Sequence, residues 1–185
     1  MEVDMLRTRQ LSTVAAALAA LTTSTVLAAP AVEADANGFR DRVGEAPAVI
    51  DVQGVRVKNF ARVVVTARYD DLVDGRSGGW TVYVDTSRRR VGPEFGVSGG
   101  LSTGTDYSVY RVRHWKYLSG PRSCPLDLRL NYRRDTSTFE ISRRCLDRPG
   151  RIRVAVVAGK ARRDGSWHRD WAPHRHQFYD WVARG

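Results

Sequence analysis

The chain has 185 residues, 42% of them hydrophobic and 27% charged, with a formal net charge of +10. That length and composition describe one domain with a buried core and exclude a largely disordered chain. The positive charge favours an anionic partner, whether wall polymer, acidic polysaccharide, lipid headgroup or nucleic acid. It also fits the arginine-rich codon usage of a high-GC genome, since only Lys58, Lys116 and Lys160 are lysines. The arginines are spread along the whole chain, so no dedicated patch and no specific nucleic-acid partner are expected.

The first segment, residues 1–34, reads as a secretory signal peptide. Arg7 and Arg9 form a basic start, and no charge follows from Leu11 to Val32. Val26-Leu27-Ala28, Ala29-Pro30-Ala31 and Val32-Glu33-Ala34 are candidate cleavage sites, completing the three-part pattern. Glu2 and Asp4 weaken the basic start, which makes Met5 the better initiator. The apolar run is too short and too rich in Ala and Thr to span a membrane. No Cys follows it to take a lipid, and no second long apolar run occurs. The expected product is a secreted protein, extracellular or associated with the cell wall, without a membrane span and monomeric.

Residues 35–47 are small and polar, as in a flexible leader, and the domain is expected over 48–185. Strand patterns then follow one another between Gly, Pro, Asp and Ser clusters. Val55–Phe60 precedes a strand in which Ala61, Val63, Val65, Ala67 and Tyr69 share one face. Asp70, Asp71 and Asp74 lie in a turn whose spacing is not that of an EF-hand. In the next strand Trp80, Val82 and Val84 share a face. Ser87–Ser98 is irregular and contains three consecutive arginines, Arg88–Arg90. Ser98–Gly100 and Ser102–Gly104 read as a Gly-rich loop without a phosphate-binding lysine. Tyr107–Trp115 and Ile152–Val157 are further strands. Seven or more short strands, with no helical period of useful length, predict an all-β fold. The expected architecture is an antiparallel, jelly-roll-like β-sandwich.

Cys124 and Cys145 flank a predicted hairpin. Leu126, Leu128 and Leu130 share one face, and Phe139 and Ile141 share the next. Pairing Leu128 with Ile141 and Leu130 with Phe139 aligns the buried faces and leaves a four-residue turn, Arg133–Thr136. Continued outward, that register sets Cys124 opposite Cys145. A disulfide is therefore expected, and export permits it.

Motifs that name a reaction are missing. The chain has no G-x-S-x-G elbow. Asp85, Glu94 and Asp106 could supply a glycosidase carboxylate pair. His174 and His176, with His168 or Asp170, could face a metal on one strand, but the spacing matches no metal signature and no metal or other cofactor is expected. Trp167, Trp171, Phe178, Tyr179 and Trp181 could stack on sugar rings or cap one end of the sandwich.

The stretch Trp80-Thr-Val-Tyr-Val-Asp85-Thr, followed by Val91-Gly-Pro-Glu94-Phe95, and the ending Phe178-Tyr-Asp-Trp181-Val-Ala-Arg-Gly resemble small secreted actinomycete-type β-sandwich proteins. The first element is also similar to family 9 carbohydrate-binding modules and DOMON-like sandwiches. That resemblance implies a jelly-roll sandwich binding sugar or haem at one end. Haem lacks a Met/His ligand pair here, because Met1 and Met5 are the only methionines.

The leading expectation is a secreted, non-catalytic protein that binds anionic polysaccharide or cell-wall polymer. Trp167, Trp171, Trp181, Asp85 and Glu94 are the candidate ligand-binding residues. The alternatives are a secreted hydrolase using Asp85 and Glu94, and a structural or interaction protein without a small ligand.

Overall fold

The computed structural model of the protein describes residues 36–75 and 78–185. The signal segment, residues 1–34, lies outside them. Twelve strands are formed among the described residues: β1 Ala36–Arg40, β2 Val52–Asn59, β3 Arg62–Tyr69, β4 Gly79–Asp85, β5 Phe95–Gly100, β6 Tyr107–Arg113, β7 Lys116–Tyr117, β8 Leu126–Asn131, β9 Thr136–Ser142, β10 Arg151–Ala161, β11 Trp167–Ala172 and β12 Val182–Ala183. They make two antiparallel sheets, one ordered β1-β2-β3-β9-β8 and the other β11-β10-β4-β5-β6-β7, with β12 also on β10. No helix of the described residues is long and apolar enough to cross a membrane.

The sandwich follows from alternation. Val63, Val65, Ala67 and Tyr69 of β3, and Trp80, Val82 and Val84 of β4, are all buried. Their neighbours along each strand point the other way, as pleating requires. The inner faces meet in one core, where the Trp80 and Phe139 rings stack at 4.3 Å. Gly99 makes room for this contact. A Cβ there would lie 3.0 Å from Leu128 Cδ2 and 3.3 Å from Phe139 Cζ.

The structure departs from the sequence expectations in four places. Residues 36–47, expected as a leader, contain β1, paired along its length with β2. The loop after it is folded back by Asp51, whose carboxylate accepts the Gly44, Glu45 and Ala46 amides at 2.9, 3.1 and 3.2 Å. Ser98–Gly100, expected as loop, ends strand β5, and only Ser102–Gly104 turns. β6 stops at Arg113 rather than running to Trp115. His114 and Trp115 take positive φ values of 49° and 65° and form a two-residue hairpin turn into β7. Two left-handed residues in succession match the twist of the flanking strands, a place usually given to Asn-Gly.

The fourth departure concerns the cysteine hairpin. Cys124 and Cys145 are bonded, with Cα atoms 5.9 Å apart. Yet Leu128 pairs with Phe139 and Leu126 with Ile141, a register two residues from the expected one. The turn is Tyr132–Asp135. Asn131 sets it, accepting the Arg133 and Arg134 amides on its side-chain oxygen at 3.1 and 3.2 Å, while Asp135 closes it at φ 52°. A slip of two preserves which face is buried, so the apolar pattern could not distinguish the two registers. Cys145 reaches Cys124 through a 3-10 turn, Arg143–Leu146, and not as its cross-strand partner.

Candidate functional site

The outer face of the second sheet is built from the residues opposite the core positions. On β4 these are Gly79, Thr81, Tyr83 and Asp85. Strand register then places small side chains side by side across the sheet. Val157, Thr81, Ser98 and Ser108 form one row, and Gly159, Gly79 and Gly100 the next. Two adjacent rows without bulky side chains leave a trough running across the strands. It has a volume of about 520 Å³, a size typical of small-molecule sites.

The floor of the trough carries hydroxyls. Thr81 Oγ1 lies 2.8 Å from Ser98 Oγ and 3.3 Å from the Tyr117 hydroxyl, which also bonds Ser98. Its walls include Trp167 and Arg169 of β11 at one end and Tyr110 of β6 at the other, while Tyr107, paired with Gly99, turns its side chain to the core side of the sheet. Trp167 is 53% exposed. Tyr110 is held upright by stacking on Tyr117 at 4.6 Å. Tyr117 in turn lies over Gly96, where a Cβ would meet its ring at 2.8 Å. The lining therefore offers apolar ring faces at both ends and hydroxyl donors and acceptors between them.

Of the three tryptophans singled out in the sequence, only Trp167 lines this trough. Trp171 is half-buried beside it, in a cluster with Tyr83, Trp115, His176 and Phe178. The turn conformation at Trp115 swings its ring into the centre of that cluster. Trp181 is half-buried under two guanidinium groups, Arg88 at 5.6 Å and Arg153 at 4.7 Å. The five aromatics of the C-terminal stretch thus do not act as one surface.

Asp85 and Glu94 are brought together at the far end of β4 from the trough, and both are buried. Asp85 holds Arg153, which donates from Nε at 2.8 Å and from a terminal nitrogen at 2.7 Å, and it accepts the Ser87 amide. Glu94 accepts the Thr86 amide at 2.7 Å and the Thr86 hydroxyl at 3.1 Å. Burial pushes its carboxyl above the ordinary range, and the neighbouring Asp85 charge adds to this. Both acids fasten the loop between β4 and β5. Among the described residues, Asp106 is the only acid lining the trough.

His168 lies on β11, but His174 and His176 follow that strand in irregular chain, with His176 at φ 59°. They share no strand face. His168 Nδ1 accepts from the Arg162 guanidinium at 2.8 Å, and His176 stacks on Trp115. The Asp70–Asp74 turn is a clasp. Asp74 accepts from the Thr103 amide, the Thr103 hydroxyl and the Tyr132 hydroxyl.

Tyr110, Tyr117 and Arg169 were not singled out in the sequence. A usable signal was present: Gly79, Thr81, Ser98, Gly100, Gly159 and Ala161 all occupy outward strand positions where longer polar side chains are usual. No family model matches this chain, and no curated protein does so either.

Proposed function

We propose that this is a secreted, non-catalytic binding protein whose trough takes a polysaccharide chain. The single observation that carries the reading is the trough itself: exposed Trp167 at one end and Tyr110 at the other, with a floor of Gly, Ser and Thr between them. Pyranose rings present apolar C–H faces and a rim of hydroxyls. Aromatic walls and a hydroxyl floor complement both. Arg169 in the wall, and the net charge of +10, favour an acidic polymer such as a uronate-containing or wall-associated glycan.

Glycosidase chemistry needs two carboxylates flanking the scissile bond, and among the described residues the trough offers Asp106 alone. This supports binding over hydrolysis. A disulfide persists in oxidising compartments, which is consistent with the export expected from residues 1–34.

A glycan array and a pull-down on insoluble polysaccharide, both at low salt, test the reading. Retention is expected, with no release of reducing ends. Trp167→Ala and Tyr110→Ala should each weaken binding by roughly tenfold, about 1.4 kcal/mol, with an unchanged Tm for Trp167→Ala. Blank results in both assays, or unchanged binding by both variants, overturn the proposal.

A further inference from the structure

A second group of residues stands apart from the trough, where the loop after β1 meets the inner side of β11. Asp41, Glu45 and Asp170 each offer a carboxylate oxygen, and these oxygens lie within 4.8 Å of one another. Oxygens sharing one calcium ion, each 2.3–2.6 Å from it, fall at about this spacing. The placement is built by the fold. Asp51 gathers three successive amides and so presents Glu45 beside Asp41. Asp170 alternates with the outward Arg169 and Trp171 and so points inward, accepting the Val52 amide at 2.6 Å.

In a chain with a net charge of +10, these acids are nearly without cations. Arg42 approaches Glu45 at 3.7 Å from a side chain that is 75% exposed. No other arginine or lysine pairs with the three acids among the described residues. An independent feature points to the same spot. Tyr179 is more than nine-tenths buried, its ring stacked on Phe39 at 4.6 Å. Its hydroxyl has no hydrogen-bond partner among the described residues, and neither does the buried Asp41 Oδ2. The hydroxyl lies near the charges of Asp41, Asp170 and Glu45. Buried polar groups left unpaired carry a desolvation cost. A hydrated cation among the three acids would satisfy Asp41 directly and Tyr179 through a bound water.

We infer that Asp41, Glu45 and Asp170 form a calcium site that staples the β1 loop to β11, with Tyr179 oriented toward the ion's water. All the donors are oxygens, which suits a hard cation and not zinc. They come from separate segments with uneven burial, which suits the flexible shell of calcium better than the tight octahedron of magnesium. The site is independent of the polysaccharide reading.

The test uses the full chain. Terbium luminescence excited through the aromatic side chains should rise on binding, and calcium should quench it by displacement, with a dissociation constant of roughly 10⁻⁴–10⁻³ M, as in extracellular calcium modules. Calcium at 5 mM should raise Tm relative to EDTA. Asp41→Asn and Glu45→Gln, which keep the shape of each side chain, should each weaken calcium binding at least tenfold and reduce the calcium-dependent rise in Tm. Absence of calcium binding to folded protein overturns the site. So does binding that both variants retain, and displacement by magnesium as effective as by calcium overturns the choice of ion.

Discussion

At the scale of single residues, the carboxylates show how burial assigns roles. Asp85 and Glu94 are near neighbours, as a catalytic pair would be, but each is occupied by the loop it fastens. Glu94 gives a testable consequence. Its folded pKa lies above the ordinary value of 4.5, through burial first. Between about 4.5 and that raised value, the folded chain binds more protons than the unfolded one. Stability is therefore greatest below the unfolded pKa and falls as pH rises through this window. Glu94→Gln keeps an acceptor for Thr86 and removes the titration. Its urea midpoint should exceed that of the native chain at pH 8, and the difference should vanish near pH 4. A constant offset across that range would contradict the argument. Sequence could nominate these two acids together, since each carries a strand-end motif. It could not show that their oxygens are already engaged.

At the scale of elements, the cysteine hairpin separates what alternation can and cannot decide. The bond was legible from two strands with matching apolar faces. Its geometry was not, because Asn131 and Asp135 place the turn one residue earlier than expected and move the register by two. The bridge consequently ties the 3-10 turn Arg143–Leu146, and with it Leu146 in the core, to the segment entering β8. Cys145→Ser should lower stability by about 3 kcal/mol, mainly through the freed unfolded chain, as read by urea denaturation. The β8–β9 pairing should survive, since the Asn131 turn sets it. Amide exchange through the hairpin would reveal the opposite result as lost protection in β8.

At the scale of the whole molecule, the two sheets bury one shared core. The Trp80–Phe139 stack bridges them, and Gly99 permits its approach. Phe139→Ala should cost about 3–5 kcal/mol, a large share of the 5–15 kcal/mol typical of a domain. The trough shares β4 and β5 with that contact, so this variant should also weaken polysaccharide retention at temperatures where Trp167→Ala remains folded. Calorimetry and the pull-down together read both effects. The trough and the carboxylate group are each assembled from distant segments. Trp167 and Tyr110 are far apart in sequence, and they flank one trough only because β10, β4 and β5 lie between β11 and β6.

The sequence by itself determined the class of the protein: all-β, two-faced strands, one disulfide. Burying one face of a pleated strand imposes a period of two that is written in consecutive residues, and two cysteines permit a single pairing. Only the tertiary structure decided which residues share a surface. Strand order, a two-residue register choice and the folding back of the β1 loop set that, and all three depend on contacts between segments that local pattern does not encode. Trp167 was therefore visible as an aromatic long before it could be known to stand at the end of a trough. Asp41, by contrast, read as part of a polar leader until β1 and Asp51 brought it to Asp170.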